Sequence, residues 1–216
     1  MRAERSSIAT PHGPVTSFLA VPDEWSDGPA VVVIQEWWGL NDHIASVARR
    51  LADEGFAAVA PDLYRGRQAS EPDEAEKLMM AMDKAEAMAA LRSTIGWTLD
   101  RLGASRVGVV GFCMGGSLAW DVAMSDTRVA ATVAFYGGAD LGGVRVPVVP
   151  VQAHYAELDD FPKAMLDEAR SILGADFHWY GGVDHGFMND TRDDFAPDAA
   201  ALAWERATTF LHAHVG

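Results

Sequence analysis

The chain has 216 residues, 49% of them apolar and 22% charged, and its 31 acidic against 17 basic side chains leave a formal net charge of -14. This composition is typical of a globular protein with a sizeable interior and argues against a disordered one. The negative field repels nucleic acid and anionic membrane surfaces, so we expect neither nucleic acid nor a membrane as a partner.

The cysteine content and the apolar runs bear on the compartment. Cys113 is the only cysteine, so it has no partner for an internal disulfide. The N-terminal residues lead into no apolar run of the signal-peptide type, and runs such as residues 30–35 are far too short to cross a bilayer. We therefore expect a cytoplasmic protein.

The first part of the chain predicts a hairpin, two buried strands and a helix. In chain order these are a hairpin over residues 7–22, a strand at 30–34, a helix over 43–54 that ends at Gly55, and a strand at 57–63. The helix is predicted from apolar residues at helical spacing, namely Ile44, Val47, Ala48, Leu51 and Ala52.

The rest of the chain continues the alternation of strands and helices. We predict helical structure over 71–102, a strand at 106–111, a helix at 117–124, strands at 129–138 and 146–155, a helix at 161–173, a strand at 177–182 and a helix at 197–215. Such alternation implies βαβ units and a mostly parallel sheet with helices on both faces. No repeat or linker separates the elements, so residues 1–216 are predicted to form a single α/β domain.

Cys113 lies in the segment GFCMGGS, between a predicted strand and a predicted helix. A nucleophile flanked by glycines at such a junction is typical of a nucleophile elbow, a sharp turn that presents the side chain. The N-terminus of the following helix favours the thiolate. The alternative is a buried structural cysteine beside a glycine-rich turn, because free cysteines are among the most buried residues.

A nucleophilic thiol needs a base and a group that orients the base. His185 lies in the loop segment GGVDHGFMND before the last helix, although a loop histidine can also be an ordinary solvated residue. Asp159 and Asp160 both follow the strand that ends near His154, and either can instead cap the next helix. The chain order of cysteine, aspartate and histidine is that of the α/β-hydrolase triads.

The loop after the strand 30–34 has the sequence QEWWGLNDH. In α/β-hydrolases this loop and the residue after the nucleophile supply the backbone N–H groups of the oxyanion hole, here Trp37 and Met114 by position. Glu36 is expected to exchange protons locally, because burial at a strand end favours the neutral carboxyl. The alternative is a surface glutamate.

Together these residues resemble the dienelactone hydrolase (carboxymethylenebutenolidase) family of α/β-hydrolases. The matching segments are VVVIQEWWGLNDHI, LADEGFAAVAPDLYRG, VGVVGFCMGGSLAW, HYAELDDF and DHGFMND. The resemblance implies that Cys113 is the nucleophile, His185 the base and Asp159 its orienting acid. It also implies that Glu36 takes the thiol proton when substrate arrives.

The resemblance also implies a reaction and a pocket. We expect an ester or lactone hydrolase that forms an acyl-enzyme and needs neither a metal nor another cofactor. Trp38 and Tyr155 are predicted to line the substrate pocket, although large aromatics near strand ends can equally be core residues. The family's carboxylate-binding arginine is replaced by Asn189, and Arg192 is the predicted substitute.

The methionine-rich helical segment allows two interpretations. Residues 77–88 are expected either to pack in the core or to form a pocket wall.

We expect a monomer or a small homo-oligomer that acts on a small-molecule ester or lactone. The rival hypothesis is a non-catalytic protein of the same fold that binds a ligand or senses redox state through Cys113.

Overall fold

The structure, a computed structural model, describes residues 1–139, 146–159, 167, 170, 171 and 173–216. The strands are β1 (Arg2–Ile8), β2 (Val15–Val21), β3 (Ala30–Ile34), β4 (Ala57–Pro61), β5 (Val107–Phe112), β6 (Val129–Phe135), β7 (Val151–Ala156) and β8 (Asp176–Tyr180). The helices are α1 (Asp42–Asp53), α2 (Pro72–Ala81), α3 (Lys84–Asp100), α4 (Met114–Ala123) and α5 (Pro197–His214). Most of the helix predicted over 161–173 lies outside the described residues.

The eight strands form one sheet in the order β1-β2-β4-β3-β5-β6-β7-β8. Strands β1 and β2 form an antiparallel hairpin, and β2 is also antiparallel to β4. From β4 to β8 every neighbouring pair is parallel. The prediction of an α/β fold with a mostly parallel sheet is therefore confirmed.

Helices cover both faces of the sheet. The larger core packs α1 and α5 against one face, with residues such as Ile44, Phe135 and Leu211 in contact. A second core packs α3 and α4 against the other face, through residues such as Leu91 and Leu118. Burial on both sides explains why β3, β4 and β5 consist only of buried residues.

The largest differences from the sequence-based expectations concern β1, the helical region 71–102 and β7. Strand β1 extends back to Arg2. Its first residues were not predicted, because β1 is a mostly exposed edge strand whose polar sequence carries no apolar periodicity. The helical region 71–102 is broken at Asp83, whose carboxylate accepts hydrogen bonds from Ala85 N and Glu86 N and so caps α3. Strand β7 begins only after Pro150, since proline cannot donate to a strand ladder.

The parallel strands bring several polar segments to one edge of the sheet. Strands β3, β5, β6, β7 and β8 all end there, and they are followed by Glu36, Cys113, Tyr136, Asp159 and His185. Open α/β sheets bind their ligands at this edge. Within the described ranges, the helices are too short or too polar to cross a membrane.

Candidate active site

Cys113 lies between the end of β5 and the first residue of α4, with φ 54° and ψ -118°. This backbone conformation is strained for a residue that has a Cβ, at a cost of about 1 to 3 kcal/mol. The backbone N–H of Cys113 donates to the carbonyl of Phe135 at 3.0 Å, and Ser117 N donates to the Cys113 carbonyl at 3.1 Å. The turn is thus fixed on both sides and leaves the side chain half-exposed.

Two glycines allow this turn to lie close to neighbouring backbone. A Cβ on Gly111 would overlap the carbonyl of Gly115. A Cβ on Gly115 would lie 2.5 Å from the carbonyl oxygens of both Ile34 and Gln35. The start of α4 therefore packs directly against the end of β3, which places Cys113 next to the loop that carries Glu36.

His185 and Asp159 form a hydrogen-bonded pair. The Nδ1 atom of His185 lies 2.8 Å from Oδ2 of Asp159, whose side chain is only 4% exposed. Because Nδ1 is committed to the carboxylate, the other ring nitrogen is left for Cys113, which lines the same pocket and contributes to the electrostatics of the ring. The three residues form a connected chain from carboxylate to imidazole to thiol.

The electrostatics of this chain favour a protonated histidine. Burial alone would lower the pKa of His185, but the hydrogen bonds and negative charges of Asp159 and Cys113 outweigh it and raise the pKa to about 10. The geometry is therefore suited to an ion pair between His185 and Cys113.

Glu36 is buried, with an exposure of 2%. The hydroxyl of Tyr136 donates to its Oε1 atom at 3.0 Å, and Nδ2 of Asn189 donates to its Oε2 atom at 2.6 Å. The expected alternative of a surface glutamate is thereby excluded. Both carboxylate oxygens are held by neutral donors at the wall of the pocket that contains Cys113.

The pocket at this edge has a volume of about 130 Å³. Its described lining residues are Glu36, Trp37, Trp38, Cys113, His185, Gly186, Asn189, Arg192 and Asp194. The volume accommodates a small acyl group, and the two indoles give it one aromatic wall, with ring centroids 5.1 Å apart.

Trp38 and Arg192 lie next to each other in the pocket lining. The guanidinium carbon of Arg192 lies 3.6 Å from the ring centroid of Trp38, a cation–π contact, and its Nη1 atom donates to the carbonyl of Ser70 at 3.3 Å. The flat stacking leaves the other edge of the guanidinium available for an acceptor. Trp38 and Arg192, which the sequence predicts to contact the substrate, therefore both line the pocket that contains Cys113.

The prediction that Tyr155 lines the pocket is wrong. Tyr155 is 1% exposed and packs in a core cluster with Trp120 and Phe177. Its hydroxyl donates to the carbonyl of Gly137 at 2.9 Å and accepts from Trp120 Nε1. Because side chains alternate along β7, Tyr155 points to the sheet face opposite that of His154, away from the described pocket lining.

Of the two residues predicted to form the oxyanion hole, Met114 directly follows Cys113 and Trp37 lines the same pocket as Cys113. Met114 is the first residue of α4, and the first N–H groups of a helix have no acceptor within the helix. Trp37 lines the pocket on the β3 side. Asp160, the other candidate acid, lies outside the described residues.

The sequence did not single out Tyr136, which touches two groups of the site. Its hydroxyl donates to Glu36, and its ring centroid lies 4.9 Å from that of His185. Its φ of 39° is the second strained backbone conformation at this edge of the sheet. Burial, and then the negative charges of Glu36 and Cys113, raise the pKa of Tyr136 well above its usual value, so the hydroxyl keeps its proton. The position of Tyr136 near the end of a predicted strand and directly before two glycines was the available signal.

The described side chains at this edge of the sheet do not form a cluster of metal ligands. Within the described ranges, no three or more His, Cys, Asp or Glu side chains are arranged to hold a metal ion.

Comparison with known proteins gives relatives over the whole fold. A carboxymethylenebutenolidase of Pseudomonas putida is 31% identical and covers 98% of this chain and 97% of its own length. A provisionally named carboxymethylenebutenolidase of Aquifex aeolicus is 34% identical, covering 93% of this chain and 94% of its own length. The crystal structure of a provisionally named dienelactone hydrolase from Klebsiella pneumoniae superposes with a TM-score of 0.88 at 28% identity and covers 98% of both chains.

The family model described as the dienelactone hydrolase family matches residues 15–215. This match includes every site residue described above and confirms the resemblance. The chain belongs to the dienelactone hydrolase family and is a carboxylic ester hydrolase of the α/β-hydrolase fold.

Proposed function

We propose that this protein hydrolyses small carboxylic esters or lactones with Cys113 as the nucleophile, His185 as the base and Asp159 as the group that orients the base. The observation that carries the proposal is the connected chain in which Asp159 binds His185 at 2.8 Å and His185 interacts with Cys113 on a strained turn. Nucleophile, base and orienting acid in hydrogen-bond reach are the signature of nucleophilic catalysis.

In the first half-reaction the Cys113 sulfur attacks the carbonyl carbon and forms a carbon–sulfur bond. The carbonyl electrons move to the oxygen, which faces the N–H groups of Trp37 and Met114. When the tetrahedral intermediate collapses, the carbon–oxygen bond of the ester breaks. The leaving alkoxide or enolate takes a proton from the His185 imidazolium, and a thioester remains on Cys113.

In the second half-reaction water attacks the thioester while neutral His185 accepts one of its protons. The carbon–sulfur bond then breaks, the carboxylic acid leaves, and the thiolate and the imidazolium are restored. Asp159 keeps the same ring nitrogen protonated through both half-reactions, because its bond to Nδ1 fixes the tautomer. Glu36 accepts the proton of a Cys113 that enters the cycle as the thiol, so that the attacking species is the thiolate.

The substrate class follows from the size and lining of the pocket. A volume of about 130 Å³ holds a short acyl chain or a small lactone ring, with Trp38 as an aromatic contact. Arg192 is the described cation at the entrance, and its free edge is suited to a carboxylate or a carbonyl of the substrate. Asn189 is occupied by Glu36 and so does not replace the carboxylate-binding arginine of the family.

We place the enzyme in the cytoplasm as a monomer or small homo-oligomer. A half-exposed thiol beside an imidazolium is easily oxidised, and Cys113 has no second cysteine to protect it as a disulfide. A reducing compartment therefore suits this site.

The experiment is turnover of a small aryl ester and an enol lactone by wild type, Cys113→Ala and Cys113→Ser. We expect the alanine variant to lose nearly all activity and wild type to release alcohol in a burst when mixed with an activated ester. Wild-type turnover that survives in Cys113→Ala would exclude Cys113 as the nucleophile. A wild-type protein that shows no turnover, but whose thiol is oxidised reversibly, would favour the redox-sensing alternative.

A further inference from the structure

The Glu36 carboxylate is buried, and its described hydrogen-bond partners are neutral. Its two oxygens accept hydrogen bonds from the Tyr136 hydroxyl and the Asn189 amide, both of which are neutral donors. Within the part of the chain that the structure describes, no Lys, Arg or His forms an ion pair with Glu36. A buried carboxylate in this situation depends on its hydrogen bonds to stay ionised.

Asn189 is itself fixed by the loop that carries His185. Its Oδ1 atom accepts from the backbone N–H and the hydroxyl of Thr191, at 3.1 and 2.7 Å, and its own N–H donates to the carbonyl of Gly186 at 2.8 Å. With Oδ1 occupied by two donors, the amide orientation is set and Nδ2 is presented to Glu36. Asn189 is 1% exposed, so water does not replace this contact easily.

Tyr136 connects Glu36 to the catalytic base. Its ring packs 4.9 Å from the ring of His185 and 5.5 Å from that of Phe187, while its hydroxyl reaches Glu36. Tyr136 takes up this position with a left-handed φ of 39°, directly after the end of β6. One side chain therefore fixes both the carboxylate and a face of the imidazole.

We propose that Tyr136 and Asn189 are positioning residues that keep Glu36 ionised and oriented beside Cys113 through neutral hydrogen bonds. This inference rests on the proposed function, because it assigns the support of a group in that same site. Neutral donors stabilise the carboxylate but leave its charge uncompensated, whereas a paired cation would make it a weaker proton acceptor. The two neutral bonds therefore hold the carboxylate free of a proton while lowering its basicity less than a paired cation would.

The titratable and charged groups around Glu36 come from three segments. They are Cys113 at the turn before α4, Tyr136 after β6, and His185, Arg192 and Asp194 in the loop before α5. Removal of one neutral hydrogen bond changes none of these charges. A shift in the ionisation of Glu36 in such a variant therefore reports the lost bond itself.

The test is the rate at which iodoacetamide alkylates Cys113, measured from about pH 4 to pH 9. The variants are Tyr136→Phe, Asn189→Ala, Asn189→Asp and Glu36→Gln. Tyr180→Phe is the matched control, because Tyr180 is also a buried tyrosine but its hydroxyl bonds to His154 at 2.8 Å. Thermal unfolding confirms that each variant is folded.

We expect the wild-type profile to contain a step where Glu36 ionises and the Glu36→Gln profile to lack it. In Tyr136→Phe and Asn189→Ala the step moves to higher pH by about one unit, the size expected for one hydrogen bond to a charged group. Asn189→Asp moves it further, because two adjacent carboxyl groups then share one proton. Tyr180→Phe leaves the step in place, and Tyr136→Phe adds nothing in the Glu36→Gln background.

The inference is overturned if wild type shows no such step, or if the step does not move in folded Tyr136→Phe and Asn189→Ala. It is also overturned if Tyr136→Phe alters the profile equally with and without Glu36. Alkylation needs no substrate, so these results are independent of whether an ester is hydrolysed. The acid limb of kcat/KM provides the second readout and should move with the alkylation step.

Discussion

The bond between Asp159 and His185 offers the most quantitative test of the triad. Asp159→Asn keeps the size of the side chain but removes the negative charge that lies 2.8 Å from Nδ1 of His185. The asparagine can also turn its amide toward the ring, which favours the tautomer that has its proton on the wrong nitrogen. The substitution therefore affects both the charge and the proton position of the base.

The size of the effect follows from the environment of the pair. A hydrogen bond to a charged group contributes about 1.5 to 3 kcal/mol, which corresponds to a factor of roughly 10 to 150 in rate. The Asp159 side chain is only 4% exposed, but the His185 side chain is 41% exposed, so water compensates part of the loss at the ring. With the tautomer effect added, we expect kcat to fall by about 100 to 1,000 fold.

The assay is the steady-state hydrolysis of a small aryl ester at neutral pH. Asp184→Asn is the matched control, since Asp184 is exposed and precedes His185 directly in the chain. It removes a carboxylate of the same type without touching the Nδ1 bond, and we expect its kcat to stay near that of wild type. Activity of Asp159→Asn that remains close to the control would show that Asp159 does not orient His185.

Three further predictions concern the base, the entrance and the turn. By NMR the ring of His185 should titrate near pH 10 in wild type and at lower pH in Asp159→Asn. The pKa of His185 is raised on folding, so its protonation stabilises the fold fully below the unfolded pKa of about 6.5. This contribution to stability is lost as the pH rises toward 10. An ordinary titration midpoint for His185 in wild type would contradict the ion pair. Arg192→Ala should raise KM about tenfold for a carboxylate-bearing ester and leave KM for a neutral ester unchanged, and an equal change for both would remove Arg192 from substrate binding. Gly115→Ala should lower the free energy of unfolding by about 1 to 3 kcal/mol, because the new Cβ would lie 2.5 Å from two carbonyl oxygens. Gly96→Ala, also within a helix, meets only the side chain of an arginine and should be neutral or stabilising in the same denaturant titration.

The sequence was sufficient to predict the architecture and the segments that meet at the site. Buried apolar runs alternate with helices, and such runs lead to a parallel sheet whose strand ends lie together. Cys113, Asp159, His185 and Glu36 each follow one of these strands, so topology alone brings them to one edge. This part of the site is encoded locally, by the glycine-flanked turn and by positions relative to strands.

The parts that were missed depend on side-chain direction and on contacts between distant segments. Tyr155 precedes the last residue of β7, and the alternation of the strand, not its closeness to the edge, sends it to the opposite face. Tyr136 is an ordinary core residue by its sequence, and its role appears only through a left-handed backbone and a bond to Glu36, 100 residues away. The break before α3 was missed because the helical sequence pattern continues on both sides of Asp83.

The bond that forms between substrate and enzyme tests the central claim most directly. Wild type is mixed with an activated ester, quenched during the burst, digested and examined by mass spectrometry. We expect an acyl group on the peptide that contains Cys113, and we expect neutral hydroxylamine to remove it as it removes thioesters. An acyl group on another residue of that peptide, such as Ser117 of α4, or turnover with no acylated Cys113 at any quench time, would contradict the account.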